Sequence, residues 1–148
     1  MTEREEAPSG PLDVPTLEVL ARRATTHPLV SDWDFRPDTI SPRVLELRVD
    51  REQYPVDVSG VRVDVRWFVG GDYTVHYLEY REDETWQCQW GRHPKPDAPR
   101  EHFHPPPDAA SPAEPSPLES NHHLGVLFDV LEWVEKRVQQ LHRSDSHS

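Results

Sequence analysis

The chain has one cysteine, Cys88, in 148 residues. No intrachain disulfide can form, and nothing in the cysteine pattern points to an oxidising compartment. Apolar residues make up only 34%. No run approaches the roughly 18 apolar residues of a membrane span, and Met1–Gly10 lacks the apolar stretch of a signal peptide. These absences predict a soluble, cytoplasmic protein without membrane association. Lysine is the other scarcity: only Lys95 and Lys136 stand among 16 basic residues.

What is abundant is acid and proline. There are 27 acidic residues, a net charge of −11 and 16 prolines. Acid excess with few lysines resembles the proteome-wide habit of halophilic archaea. Self-repulsion at such a charge keeps a protein soluble but opposes its compact state. Salt screens that repulsion, with a Debye length of about 3 Å at 1 M. At low salt the same charge argues against nucleic acid as a partner.

The length fits one domain. Residues 1–12 are charged and turn-rich, the composition of a disordered tail. A helix is predicted from Pro15 to about Thr26, capped by Asp13. Residues 29–43 read as an irregular connection. Strands are predicted at Val44–Val49, Val61–Val69, Tyr73–Tyr80 and Thr85–Gly91. Their short links, Gly70-Gly71-Asp72 among them, imply an antiparallel meander. Successive strand side chains point to opposite faces, so Val61, Val63, Val65, Trp67 and Val69 oppose Arg62, Asp64 and Arg66. Residues 92–120 form a proline-rich connection, with a short edge strand near Glu101–His104. Leu124, Leu127, Phe128, Leu131, Val134, Val138 and Leu141 recur at helical spacing, and residues 143–148 read as a frayed end. The fold class is therefore α+β: a four-stranded antiparallel meander with an N-terminal helix, and a long C-terminal helix on its apolar face, within residues 13–142.

Three groups of residues carry candidate chemistry. Arg62, Arg66, Thr74, His76, Gln87 and Gln89 fall on the polar face of the predicted sheet, with Tyr80 nearby. Arginines there can hold a phosphate backbone and stabilise developing charge, and His76 can move a proton near neutral pH; the plainer alternative is a solvated face. Cys88, His93, His102, His104, His122 and His123 supply zinc-ligand types, but their spacing matches no standard site. Cys88 also points inward between Trp86 and Trp90, so no metal and no cofactor is expected. The third group is the corner of Arg92 and His93 with Arg100, His102 and His104, a local positive patch able to steer an anion. Its alternative is a rigid proline-rich edge with solvated histidines. Trp67, Tyr77, Trp86 and Trp90 sit at inward positions. Trp133 falls off the main helical stripe, either to anchor a partner or to pack on the proline-rich connection.

Tyr73-Thr-Val-His-Tyr-Leu-Glu-Tyr80, Trp90-Gly-Arg-His-Pro94, His102-Phe-His104 and the Leu127-Phe128-Asp129…Val134 helix together resemble the TumE-like toxins of toxin–antitoxin pairs. The resemblance covers about residues 60–141. The proline insertion at 105–117 and the N-terminal part depart from it. It implies an RNA-directed or translation-inhibiting activity neutralised by a cognate antitoxin. It places the chemistry on His76, Arg92, His93, His102 and His104, with Arg92 gripping phosphate and His102 or His104 exchanging protons, as in a metal-independent ribonuclease. The competing class is a non-enzymatic interaction or regulatory protein using the acidic helix face and Trp133; a zinc-dependent regulator is the third.

Overall fold

The structure is a computed structural model that describes residues 10–93, 101–110 and 112–146. Helix α1 spans Val14–Ala24. The Asp13 carboxylate accepts from Thr16 N–H at 3.2 Å and satisfies one of the helix's open donors. Pro15 lies in the first turn, where a missing N–H costs nothing. Pro11 and Leu12 are already ordered, through Val69 N–H to Pro11 O and a bridge from Leu12 to Phe68.

The strands are β1 (Val30–Arg36), β2 (Val44–Val49), β3 (Gly60–Trp67), β4 (Tyr73–Tyr80), β5 (Thr85–Arg92), β6 (Glu101–His104) and β7 (Glu114–Pro115). They form one antiparallel sheet in chain order. The meander is thus confirmed, but the sheet has seven strands rather than four. The expected connection at 29–43 contains β1. A register shift between Val30 and Asp32 breaks the alternation once, which conceals the period of two. Past it, Trp33 and Phe35 face Leu47 and Leu45, while Pro37 and Pro42 frame the turn into β2. β7 carries Pro115 at the sheet edge, where the absent donor is tolerated. Gly71, at φ +92°, makes the turn between β3 and β4 that a side chain would strain.

Helix α2 spans His123–Ser146 and so runs past the expected end at 142. His142 Nε2 donates to Gln53 O at 2.7 Å and holds the last turns. Val126, Leu127 and Val130 of α2 and Leu20 of α1 meet Val65, Trp67 and Val75. Both helices therefore cover one face of the sheet. Trp86, Trp90, Tyr77 and Trp133 gather there, Trp133 edge-on to Tyr77 at 5.1 Å and to Trp90 at 5.0 Å. Trp133 belongs to this cluster as well as to the surface near Leu118. Its ring area makes it a packing residue before any partner anchor. Among the described residues no helix is long and apolar enough to cross a membrane.

Candidate functional site on the open sheet face

The register fixes which polar side chains are neighbours on the face that α1 and α2 leave open. One row runs Asp34, Glu46, Asp64, His76, Gln89, His104 across β1 to β6. A second runs Asp32, Arg48, Arg62, Leu78, Gln87. A third runs Arg66, Thr74, Gly91, His102. Arg62, Arg66 and His76 are brought together, as their shared face required. Directly opposed strand residues stand about 5 Å apart and diagonal ones about 7–8 Å.

The His76 ring on this face is oriented by a side-chain hydrogen bond. Its Nε2 meets Gln87 Oε1 at 2.7 Å. With that amide oxygen accepting, Nε2 carries the proton and Nδ1 keeps the basic lone pair. Burial lowers the imidazole pKa from its ordinary 6.5, and the charges of Arg62 and Arg66 add to that; Gln87 and Asp64 oppose it. His76 is thus neutral at physiological pH. Asp64, opposite it, has its carboxyl pushed up by burial, against the pull of Arg62. Arg62 Nε donates to one Asp64 oxygen at 3.2 Å, while the other lies as near without hydrogen-bond geometry. Arg62 also lies over the Tyr80 ring, 5.5 Å from its centroid.

Arg66 differs from its neighbours. On β1 and β2, Arg48 meets Asp32 at 2.8 Å, Asp34 at 3.5 Å and Glu46 at 3.7 Å, and Arg36 meets Glu46 at 3.3 Å. Arg66 is exposed and makes no hydrogen bond or ion pair among the described residues. Among the described residues it is an unpaired cation, diagonal to His76.

His93, His102 and His104 form a second group beside this one. The rings of His93 and His102 meet edge-on at 4.4 Å, and those of His102 and His104 at 5.2 Å. His102 is completely buried because Gly91 leaves room for it. A Cβ at Gly91 would lie 3.0 Å from His102 Nε2. His104 is only half-buried. Among the described residues no three His, Cys, Asp or Glu side chains converge on a metal position. Cys88 lies buried in the core, where burial pushes its thiol far up, unlike a reactive thiolate.

Arg92 lies on the other face of β5. Its guanidinium donates to Gly71 O and to Asn121 O, the latter at 3.2 Å, and stands 5.3 Å from the Tyr73 ring centroid. It ties the β3–β4 turn to the approach of α2 and is not brought together with Arg62, Arg66 and His76. Arg100 lies outside the described residues.

Sequence reasoning passed over Glu79, which is completely buried on the helix side. Arg137 of α2 grips it through two nitrogens at 2.9 and 2.8 Å, Arg81 at 2.7 Å and Tyr77 Oη at 2.7 Å. Burial pushes its carboxyl up, but the hydrogen bonds from Arg137, Tyr77 and Arg81 outweigh that and hold it below the ordinary range. Tyr54 extends the chain, its hydroxyl 2.8 Å from that of Tyr77. The available signal was a carboxylate on the apolar side of the β4 alternation; its partner, 58 positions away, could not be read from spacing.

No curated protein and no solved structure matches the chain. The family described as toxin TumE matches residues 17–138. The match begins inside α1, so α1, β1 and β2 lie within the family's domain rather than forming an N-terminal departure from it. The matched stretch takes in most of both helices and the whole open face, and on that extent the chain belongs to the TumE toxin family.

Proposed function

We propose that this toxin acts on RNA through the open sheet face and is neutralised by a cognate antitoxin. The observation that carries this reading is the free Arg66 beside His76, whose ring Gln87 orients with Nδ1 as acceptor. Nδ1 takes the proton of a ribose 2′-hydroxyl. The freed oxygen attacks the adjacent phosphorus, the bond from phosphorus to the 5′-oxygen breaks, and that oxygen receives a proton. Arg66 balances the charge that gathers on the phosphoryl oxygens in between. His104 is the proton donor. It lies on the same cross-sheet row as His76, two strands away, or about 10 Å between backbones. His102, fully buried against Gly91, positions His93 and His104. The cut leaves a 2′,3′-cyclic phosphate and a 5′-hydroxyl, and the route uses no metal.

The test is cleavage of an end-labelled RNA oligonucleotide by purified protein. The wild type yields cyclic-phosphate ends, and an oligonucleotide with 2′-deoxyribose throughout stays intact. His76→Ala, with unchanged circular dichroism, loses about 10²–10⁴-fold in rate, the ordinary contribution of a general base. Cleavage by His76→Ala at the wild-type rate would remove His76 from the chemistry.

A further inference from the structure

The open face is divided by charge. Its β1–β2 side carries Asp32, Asp34 and Glu46 around Arg48. From β3 to β6 the described rows carry Arg62, Arg66, Thr74, His76, Gln87, Gln89, His102 and His104 together with the carboxylate of Asp64, and Asp108 bridges to Gln87 at their edge. Three strand spacings make that strip about 14 Å wide. A double helix laid over it would bring its second phosphate strand across the acidic side. A single strand fits within the strip.

At the end of the strip away from Arg66, Arg62 is held between two partners. Asp64 takes its Nε, and the guanidinium carbon lies over the Tyr80 ring at 5.5 Å. Arg62 opposes Leu78, so it is diagonal to His76 on one side and to Tyr80 on the other. Leu78 is buried between them and gives the strip an apolar floor. His76 and Tyr80 are four residues apart on β4, about 13 Å. A planar cation ordered in this way, with a tyrosine behind it, is a surface on which a nucleobase stacks.

Building on the RNA reading, we propose that the substrate is single-stranded RNA, bound with a phosphate at Arg66 and His76 and a nearby base stacked on the Arg62–Tyr80 pair. Arg62 and Tyr80 then set affinity for bases, whereas Arg66 sets affinity for the backbone. Stacking tolerates every base, because each has a π-face. The pair therefore selects for the unpaired state, with little preference for sequence.

The experiment uses the full chain and 2′-O-methyl oligonucleotides, which cannot be cut, with one 2-aminopurine walked through each position. Fluorescence is quenched at one position on binding. An abasic residue there weakens binding about 5–150-fold, the range of one lost stack. The duplex of the same sequence binds more weakly than the single strand. Arg62→Lys keeps the charge but loses the plane, and Tyr80→Leu removes the ring. Both, checked by thermal melting to be folded, lose the quench and no longer distinguish the abasic strand. Arg66→Ala weakens intact and abasic strands alike. Equal wild-type binding of intact and abasic strands, or tighter binding of the duplex, overturns the stacking site and leaves the RNA reading standing. Absence of both binding and cleavage for every RNA form overturns the two together.

Discussion

Single side chains in this protein do opposite things on the two faces of one strand. β4 sends His76 to the open face and Glu79 under α2. Glu79 is a buried charge that persists only because Arg137, Arg81 and Tyr77 surround it. Removing one partner of such a pair strands the others without water. Glu79→Gln is therefore expected to cost about 3–5 kcal/mol in urea unfolding, although it keeps the shape of the side chain. The same group governs acid stability. Its folded pKa lies below the unfolded one, so its contribution is fully present above the ordinary carboxylate range and is lost as pH falls through that range toward the folded value. His76 acts earlier in the same direction. Its folded pKa lies below 6.5, so the unfolded chain takes up the proton first and stability begins to fall below about pH 6.5. Asp64, with its carboxyl raised, opposes both. Melting temperature followed from pH 7.5 to 4 is expected to hold to about pH 6.5 and decline below it, and Glu79→Gln to flatten the lower part of that decline.

Elements were legible where their period was unbroken. The helix at 124–141 shows in Leu127, Leu131 and Val134, and all three are buried. Strands β3, β4 and β5 show in their alternation and in the two glycines of the first turn. β1 was illegible because one register shift removes the period that identifies a strand. The polar face was legible as a set of residues but not as a site. Spacing along β3 puts Arg62 and Arg66 on one side; only register pairs Asp64 with His76 and His76 with Gln89. Trp133 was only half legible for a related reason. It leaves the main stripe of α2, yet its ring stacks on Trp86 and meets Trp90 edge-on, contacts with β5 that spacing along the helix does not reveal. Gly91 shows how closely β5 and β6 depend on each other. Its missing side chain admits the His102 ring, and any Cβ would also lie 3.5 Å from Tyr73 O. Gly91→Val is expected to destabilise the protein by about 1–3 kcal/mol through overpacking. The histidine ring signals of His93, His102 and His104 should shift together in NMR spectra, and those of His27 and His142 should stay in place.

The whole molecule carries a net charge of −11, whereas the site proposed on its open face takes a polyanion. The two are compatible because the acid is unevenly placed, on β1, β2 and the outer side of α2, and is partly neutralised by Arg36 and Arg48. Overall repulsion remains. Salt that screens it should raise the melting temperature between 0.1 and 1 M potassium chloride, and an unchanged or falling value would show that surface repulsion is not what limits stability. The central claim, that the open face carries the toxic activity, is tested most directly in cells. Wild-type protein, His76→Ala and Arg66→Ala are induced to equal soluble levels, and growth and total RNA are followed together. Wild type is expected to arrest growth as RNA shortens, and both variants to restore growth with intact RNA. Arrest by His76→Ala and Arg66→Ala as complete as by the wild type would place the activity elsewhere on the molecule.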